Sequence, residues 1–313
     1  MEVTSVKFIV FVGIVMAVYF VLPKCLQWIE LLVASVIFYV FNAPICTILY
    51  VIISLIIVYG ATNYFSNMHS DRNKKIVMCC SLIAMVGMLY IFKYVNLSFQ
   101  LINIISKRNV VENVSIVAPL AISFYMLQMI SYLLDSYWGI VTPEKNIFKL
   151  ALYNIFFPQM VSGPISRYND LAHQFFEEHR FDYGRVVNGL KRIAWGLMKK
   201  LLIASKIGLL VDAIYNHYEA YSGIYIWFAM FAFMIQLYAD FSGCMDIVIG
   251  VSTCLDIHIA ENFNAPFLSR TVQEFWQRWH ITLGQWLRDY IMNPLLKSDP
   301  FISIGARCQG SCQ

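Results

Sequence analysis

Residues 44–65 read PICTILYVIISLIIVYGATNYF, a stretch without one charged side chain. A helix needs about 20 predominantly apolar residues to cross the hydrocarbon core of a bilayer, so this stretch is expected to span a membrane. Working outward, apolar runs recur with short polar interruptions. Residues 6–22, closed by Pro23-Lys24, and residues 26–41 come before it. After it come 76–95, 114–134, 148–165, a long helical pattern over 186–215, and then 224–238 and 241–255. Several runs are short for a span and are expected to tilt, pair or re-enter. The expected fold class is all-α: a polytopic integral membrane protein of about eight to ten membrane-embedded segments, forming one domain over 1–313.

Composition points the same way. Of 313 residues, 59% are hydrophobic and 16% aromatic, and the mean hydropathy is +0.62. Charged residues make up 13%, about half the share of an ordinary soluble domain. Such a chain cannot cover itself with polar surface as a water-soluble monomer, and it is neither disordered, collagenous nor a disulfide-stapled miniprotein. The net charge of +4 is small and sits in loops, which gives nucleic-acid binding no support. The eight cysteines form no C-x-x-C pair, so no metal site is expected. The first apolar run carries Lys7 but no A-x-A-like cleavage site follows, which makes it a retained helix rather than a signal peptide. Arg72, Lys74 and Lys75 mark one cytoplasmic loop, and Arg167, Arg180, Arg185, Lys191 and Arg192 a larger one. Three spans before the first basic loop place the N-terminus outside, although Lys107 and Arg108 then fall on the wrong side.

Between Thr271 and Ile291 the pattern changes to TVQEFWQRWHITLGQWLRDYI. At 100° per residue, Val272, Phe275, Trp276, Trp279, Leu283, Trp286, Leu287, Tyr290 and Ile291 share one arc, and Glu274, Gln277, Arg278, Gln285, Arg288 and Asp289 the other. The expectation is one amphipathic helix suited to an interface or a wet cavity, with Glu274 and Arg278 paired at i,i+4. Ile281 is the one misfit. His280 falls inside the apolar arc, either as a hydrogen-bonded packing residue or as a base kept neutral by burial. Asp135, Asp240 and Asp246 lie at or within apolar runs, where ionisable groups face a cavity or a partner. A structural polar knot is one reading of them, with Gly243 letting two helices approach closely. The segment FFPQMVSGPISRY carries Pro158, Gly163 and Pro164 beside the basic loop. It is either a re-entrant element lining a pocket on the cytoplasmic side or a plain helix-ending turn. No G-x-S-x-G elbow, P-loop or H-E-x-x-H occurs.

Four stretches together resemble the membrane-bound O-acyltransferase family: AISFYMLQMISYLLDSYWG at 121–139, FFPQMVSGPISRY at 156–168, LYADFSGCMDIVIG at 237–250 and NFNAPFLSRTVQEFWQRWHITLGQWLRDYI at 262–291. The nearest branch is that of bacterial proteins acylating cell-envelope polymers, including the alginate O-acetylation and teichoic-acid D-alanylation membrane subunits. The resemblance implies a helical fold with a central tunnel joining a cytoplasmic acyl donor to an acceptor outside. It also implies that His280, in Trp279-His280-Ile281-Thr282-Leu283, matches the histidine of the family's W-H-I-S-L-like motif and is the catalytic residue. Arg288 and Asp289 match the motif's L-R-D-Y ending and, with Arg167 and Asp240, are expected to organise the pocket. The family's other histidine, in an L-W-H-G-like motif after the first, has no counterpart, since no His follows His280. The tail KSDPFISIGARCQGSCQ contains no span, so the chain is expected to lack C-terminal helices and to be inactive or nearly so.

The function that follows from the resemblance is transfer of a small acyl group, acetyl in the first instance, to hydroxyls of an extracellular polysaccharide or cell-wall polymer. The donor is an acyl thioester (acyl-CoA or an acyl carrier protein), no cofactor is held permanently, and a second envelope acyltransferase subunit is an expected partner. The expected location is the cell membrane, with multiple passes through the lipid bilayer. A different class of function, a transporter or flippase using Asp135, Asp240 and Asp246, has against it the absence of a visible internal repeat. A non-catalytic fragment that binds a partner is a third reading.

Overall fold

A computed structural model describes residues 3–298, apart from 69, 107–110, 113, 115–117 and 161–162. Lys107, Arg108 and most of the polar tail therefore lie outside the described residues. The described residues form helices and short turns, with one isolated antiparallel bridge, between Phe263 and Trp279. Among the described residues, four segments are long and apolar enough to cross a membrane: Lys24–Asn42, Ile45–Asn67, Asp71–Lys93 and Gly223–Cys254. The chain divides into two compact units, one of residues 1–163 and 167–259, the other of 164–166 and 260–313.

The first unit begins with α1 (Val6–Val21), α2 (Lys24–Asn42), α3 (Ile48–Asn67), α4 (Asp71–Lys93) and α5 (Val95–Ser106). Local chemistry sets the boundaries. Ser5 caps α1 by accepting a hydrogen bond from the Phe8 N–H at 3.2 Å, and Pro23 and Pro44 separate the first three helices. Next come α6 (Ile122–Tyr137), α7 (Ile147–Ile155), α8 (Phe157–Met160) and α9 (Tyr168–Leu171). Helix α6 is buried on nearly every side, its polar Gln128, Ser131 and Asp135 included, with Tyr125, Met126, Met129, Tyr132 and Leu133 nearly inaccessible. Phe11 and Phe38 pack against Phe157 with ring centroids 5.3 and 6.0 Å apart, fastening α1 and α2 to the short α8.

Helices α10 (Tyr183–Met198) and α11 (Ser205–Asn216) run on from each other through a π-helical turn, Lys199–Ala204. The long pattern over 186–215 is thus helical throughout, with one expanded turn in its middle. The runs 224–238 and 241–255 differ from expectation: they are one helix, α12 (Gly223–Cys254). The polar Tyr238–Ser242 interval that suggested two segments carries no helix breaker, and its charge, like that of Asp246 just beyond it, is met from α10 and the π turn that follows. Asp246 pairs with Arg192 at 3.1 Å and with Lys199, while Asp240 pairs with Lys200. The backbones of α10 and α12 touch because both contact lines are glycine. A Cβ on Gly196 would lie 2.6 Å from the Gly243 carbonyl oxygen, and one on Gly189 2.7 Å from that of Gly250. This is the polar knot the sequence suggested, with Gly243 at its centre.

The second unit holds α13 (Val272–Arg278), α14 (Ile281–Leu287), a π turn Arg288–Met292 and α15 (Asn293–Leu296). The single amphipathic helix expected over 271–291 is therefore broken. Its two parts meet at His280, whose backbone takes φ 46 and ψ 55 in the left-handed region. The misfit at Ile281 marks this break, because helical phase restarts there. After the break, Thr282, Trp286 and Tyr290 recur at i, i+4 and i+8 and are the buried face.

Candidate functional site around His280

The break at His280 is built by Asn262, which is fully buried. A helix begins with four backbone N–H groups that lack a partner within it. In α14 the first, of Ile281, donates to the main-chain carbonyl of Asn262 at 3.0 Å. The second, of Thr282, donates to Asn262 Oδ1 at 3.0 Å. The Leu283 N–H donates to the His280 carbonyl at 3.1 Å, and the same carbonyl accepts the first intrahelical bond, from the Gly284 N–H, at 3.1 Å. These bonds hold the left-handed turn from both sides. Such a conformation costs a non-glycine residue about 1–3 kcal/mol and persists where the surroundings over-determine it.

The same network fixes the chemistry of the imidazole. The Thr282 N–H can only donate, so the amide of Asn262 must present its oxygen. That oxygen also accepts from Thr282 Oγ1 at 2.7 Å and lies 3.3 Å from His280 Nδ1. An oxygen that only accepts requires a proton on Nδ1, which leaves the ring's lone pair on Nε2 in the neutral form. Thr282 Oγ1 in turn accepts from the Ile165 N–H at 3.1 Å. The Pro164–Ser166 part of the broken FFPQMVSGPISRY segment thereby joins the His280 turn. His280 lies outside the four candidate spans, and burial pushes its pKa down to about 4. The imidazole is neutral at physiological pH.

An aromatic wall supports the turn. Trp279 stacks on Phe275 at 5.6 Å and meets Phe263 edge-on at 5.1 Å. Thr271 caps α13 by accepting from the Glu274 N–H, and the Glu274 carboxylate accepts from the Arg270 N–H and pairs with Arg278 at 2.7 Å. These donors, the Arg270 N–H first, hold the Glu274 carboxyl below its ordinary range. The Glu274–Arg278 pair expected from i,i+4 spacing is present.

The other expected site residues fall elsewhere. Arg288 Nε and Asp289 Oδ1 pair with each other at 3.0 Å in the π turn after α14. Asp240 belongs to the first unit, on Lys200, and Arg167 opens α9 there, its carbonyl accepting from the Asp170 and Leu171 N–H groups at 3.2 Å. Asp135 is buried within α6. Among the described residues, no three His, Cys, Asp or Glu side chains gather as a metal site requires. Sequence reasoning assigns no role to Asn262 or Thr282. The available signals were a hydroxyl two residues after His280, on a face otherwise apolar, and the phase slip at Ile281.

Comparison with known proteins covers this region. The model of the membrane-bound O-acyltransferase family matches residues 143–305, just over half of the chain and all of the network from Asn262 to Asp289. The chain is 31% identical to a peptidoglycan O-acetyltransferase of Helicobacter pylori over 85% of its own length and 55% of the relative's. It is 36% identical to the "Probable alginate O-acetylase AlgI" of Azotobacter vinelandii over 64% of its length and 40% of the relative's. It is 28% identical to a teichoic acid D-alanyltransferase of Bacillus subtilis over 56% of its length and 45% of the relative's. The chain thus spans about half the length of the curated relatives it matches. With His280 and the residues that hold its turn inside the matched region, this chain belongs to the membrane-bound O-acyltransferase family.

Proposed function

We propose that this protein is a membrane O-acyltransferase that moves a small acyl group, acetyl in the first instance, from a thioester to hydroxyls of an extracellular glycopolymer. The observation that carries the reading is the neutral His280 with Nδ1 committed to Asn262 Oδ1 and basicity at Nε2. Nε2 takes the proton of the acceptor hydroxyl as its oxygen attacks the thioester carbonyl carbon. The carbon–sulfur bond breaks, and the imidazolium returns the proton to the departing thiolate. Such a positioned base contributes about 10²–10⁴-fold. The names of the relatives support the acceptor class, since each couples a small acyl group to a polymer. Arg288 and Asp289, which follow α14, serve to shape the pocket rather than react. The donor is acyl-CoA or an acyl carrier protein on the cytoplasmic side, nothing is held permanently, and a second envelope subunit shares the pathway. The chain acts as one domain of about eight to ten membrane-embedded segments passing repeatedly through the cell membrane.

The rival reading, a transporter using intramembrane carboxylates, draws no support from Asp240 and Asp246. Both are neutralised by lysine or arginine of the neighbouring helix. The test is the base-labile acyl content of the envelope glycopolymer in cells carrying a version of this chain extended by a homologous C-terminal region, or the His280→Ala variant of that version. Esters that depend on His280 support the proposal, and equal ester content in the two overturns it.

A further inference from the structure

One oxygen in the second unit has more donors than it can serve fully. Asn262 Oδ1 faces the Thr282 N–H at 3.0 Å, the Thr282 hydroxyl at 2.7 Å and His280 Nδ1 at 3.3 Å. A carbonyl oxygen carries two lone pairs, so the three donors compete, and the imidazole, at the longest distance, is held least. The Thr282 N–H is fixed by the backbone of α14, whereas a hydroxyl proton rotates to suit its surroundings. The Ile165 N–H occupies a lone pair of Thr282 Oγ1 at 3.1 Å, which leaves the hydroxyl proton directed at Asn262. Asn262, Thr282 and Ile165 are all buried, so bulk water does not stand in for any of these bonds.

We infer that Thr282 is a positioning residue: by occupying the Asn262 oxygen, its hydroxyl weakens the hydrogen bond from His280 Nδ1 and restrains the basicity of Nε2. An acceptor on the Nδ1 proton stabilises the imidazolium more than the neutral ring, because hydrogen bonds from charged donors are the stronger. Without the hydroxyl, Asn262 Oδ1 closes on Nδ1 and Nε2 becomes the stronger base. A general base works best with a pKa near the operating pH, so the hydroxyl of Thr282 sets how readily His280 takes a proton. The inference rests on the reading of His280 as the base and concerns the strength of that base, not the group it acts on.

The full chain labelled with ¹⁵N-histidine is compared in micelles with Thr282→Val, which keeps the shape and loses the hydroxyl, and with Thr282→Ser, which keeps the hydroxyl. In Thr282→Val the His280 Nδ1 proton should move downfield and the titration midpoint of the ring should rise by about 0.5–1 pH unit. Thr282→Ser should match the unsubstituted protein in both. An unchanged midpoint in Thr282→Val would overturn the inference. So would a rise in which the Nδ1 proton moves upfield or is lost to exchange, because that marks a loosened, hydrated turn. The same changes in Thr282→Ser as in Thr282→Val would also overturn it. If Thr282→Val fails to give a monodisperse protein, Thr282→Cys, whose thiol is a weaker donor, decides in its place, with a smaller change in the same direction expected. None of these readouts needs acyl transfer, so their failure removes the role of Thr282 and leaves the reading of His280 to the ester measurement.

Discussion

Replacing Asn262 by Asp changes one atom type at the centre of the His280 turn and tests the electrostatics directly. A carboxylate oxygen still accepts from the Thr282 N–H, from Thr282 Oγ1 and from His280 Nδ1, at 3.0, 2.7 and 3.3 Å in the present geometry. It also brings a negative charge beside the ring, which favours the imidazolium. Unit charges about 4 Å apart interact by about 4 kcal/mol at an effective dielectric constant of about 20, equivalent to about 3 pK units. The ring is half-buried and the new carboxylate is itself desolvated, so about 2 units is the expected net rise. His280, pushed down to about 4 by burial, should then titrate near 6. The assay is NMR of protein labelled with ¹⁵N-histidine in micelles, with the His280 signals identified by their loss in His280→Gln. Unsubstituted protein should show a neutral ring protonated on Nδ1 down to about pH 4. An Nε2-protonated ring, or a titration near 6.5 that Asn262→Asp leaves in place, would refute the reasoning.

The same depressed pKa carries a stability consequence. Between about pH 6.5 and 4 the unfolded chain takes up a proton that folded His280 refuses, so stability should fall as pH drops through that window. The loss is about 3 kcal/mol at most, less after solvent screening of a half-buried ring, and its absence in His280→Gln by thermal unfolding identifies the source. Gly243→Ala should cost about 1–3 kcal/mol, because its Cβ would meet the Gly196 carbonyl oxygen at 2.8 Å, whereas Gly13→Ala has nothing within 4 Å and should not destabilise. Comparable melting of the two variants in detergent would show that the α10–α12 contact is not rigid. Asn154→Leu should stabilise the protein by about 1–3 kcal/mol by removing an unmet buried amide, and a lowered melting temperature would contradict that. The loop beside Arg167 should face the cytoplasm. Because Ser166 is buried, the exposed Asp170 is the position to label, and Asp170→Cys should react with an impermeant thiol reagent only in inverted vesicles.

The helical class was legible because apolar runs such as 44–65 leave a membrane chain few other ways to satisfy its backbone. The α10–α12 contact was partly legible too: Gly243 between Asp240 and Asp246 pointed to close approach and local charge pairing. The count of helices was less so, since a polar interval such as Tyr238–Ser242 reads as an interruption until its partners, Lys199 and Lys200, are known. His280 was legible as a residue but not as a conformation. Periodicity assumes one helical phase, and the long-range hydrogen bonds of Asn262, eighteen residues earlier, reset that phase at Ile281. No local propensity announces such a cap. The one trace it left was the misfit of Ile281, which sequence periodicity alone could not distinguish from an ordinary exception.

The most direct test of the proposed chemistry measures transfer of radiolabelled acetyl from an acyl thioester to the purified envelope polymer in membrane vesicles. Vesicles holding equal amounts of a version of this chain extended by a homologous C-terminal region, unsubstituted or carrying His280→Ala, are compared, with insertion checked by resistance to carbonate extraction. If His280 is the base, the variant should transfer about 10²–10⁴-fold more slowly while remaining inserted. Transfer by His280→Ala within tenfold of the unsubstituted rate would contradict the account and return His280 to a packing role in the turn that Asn262 builds.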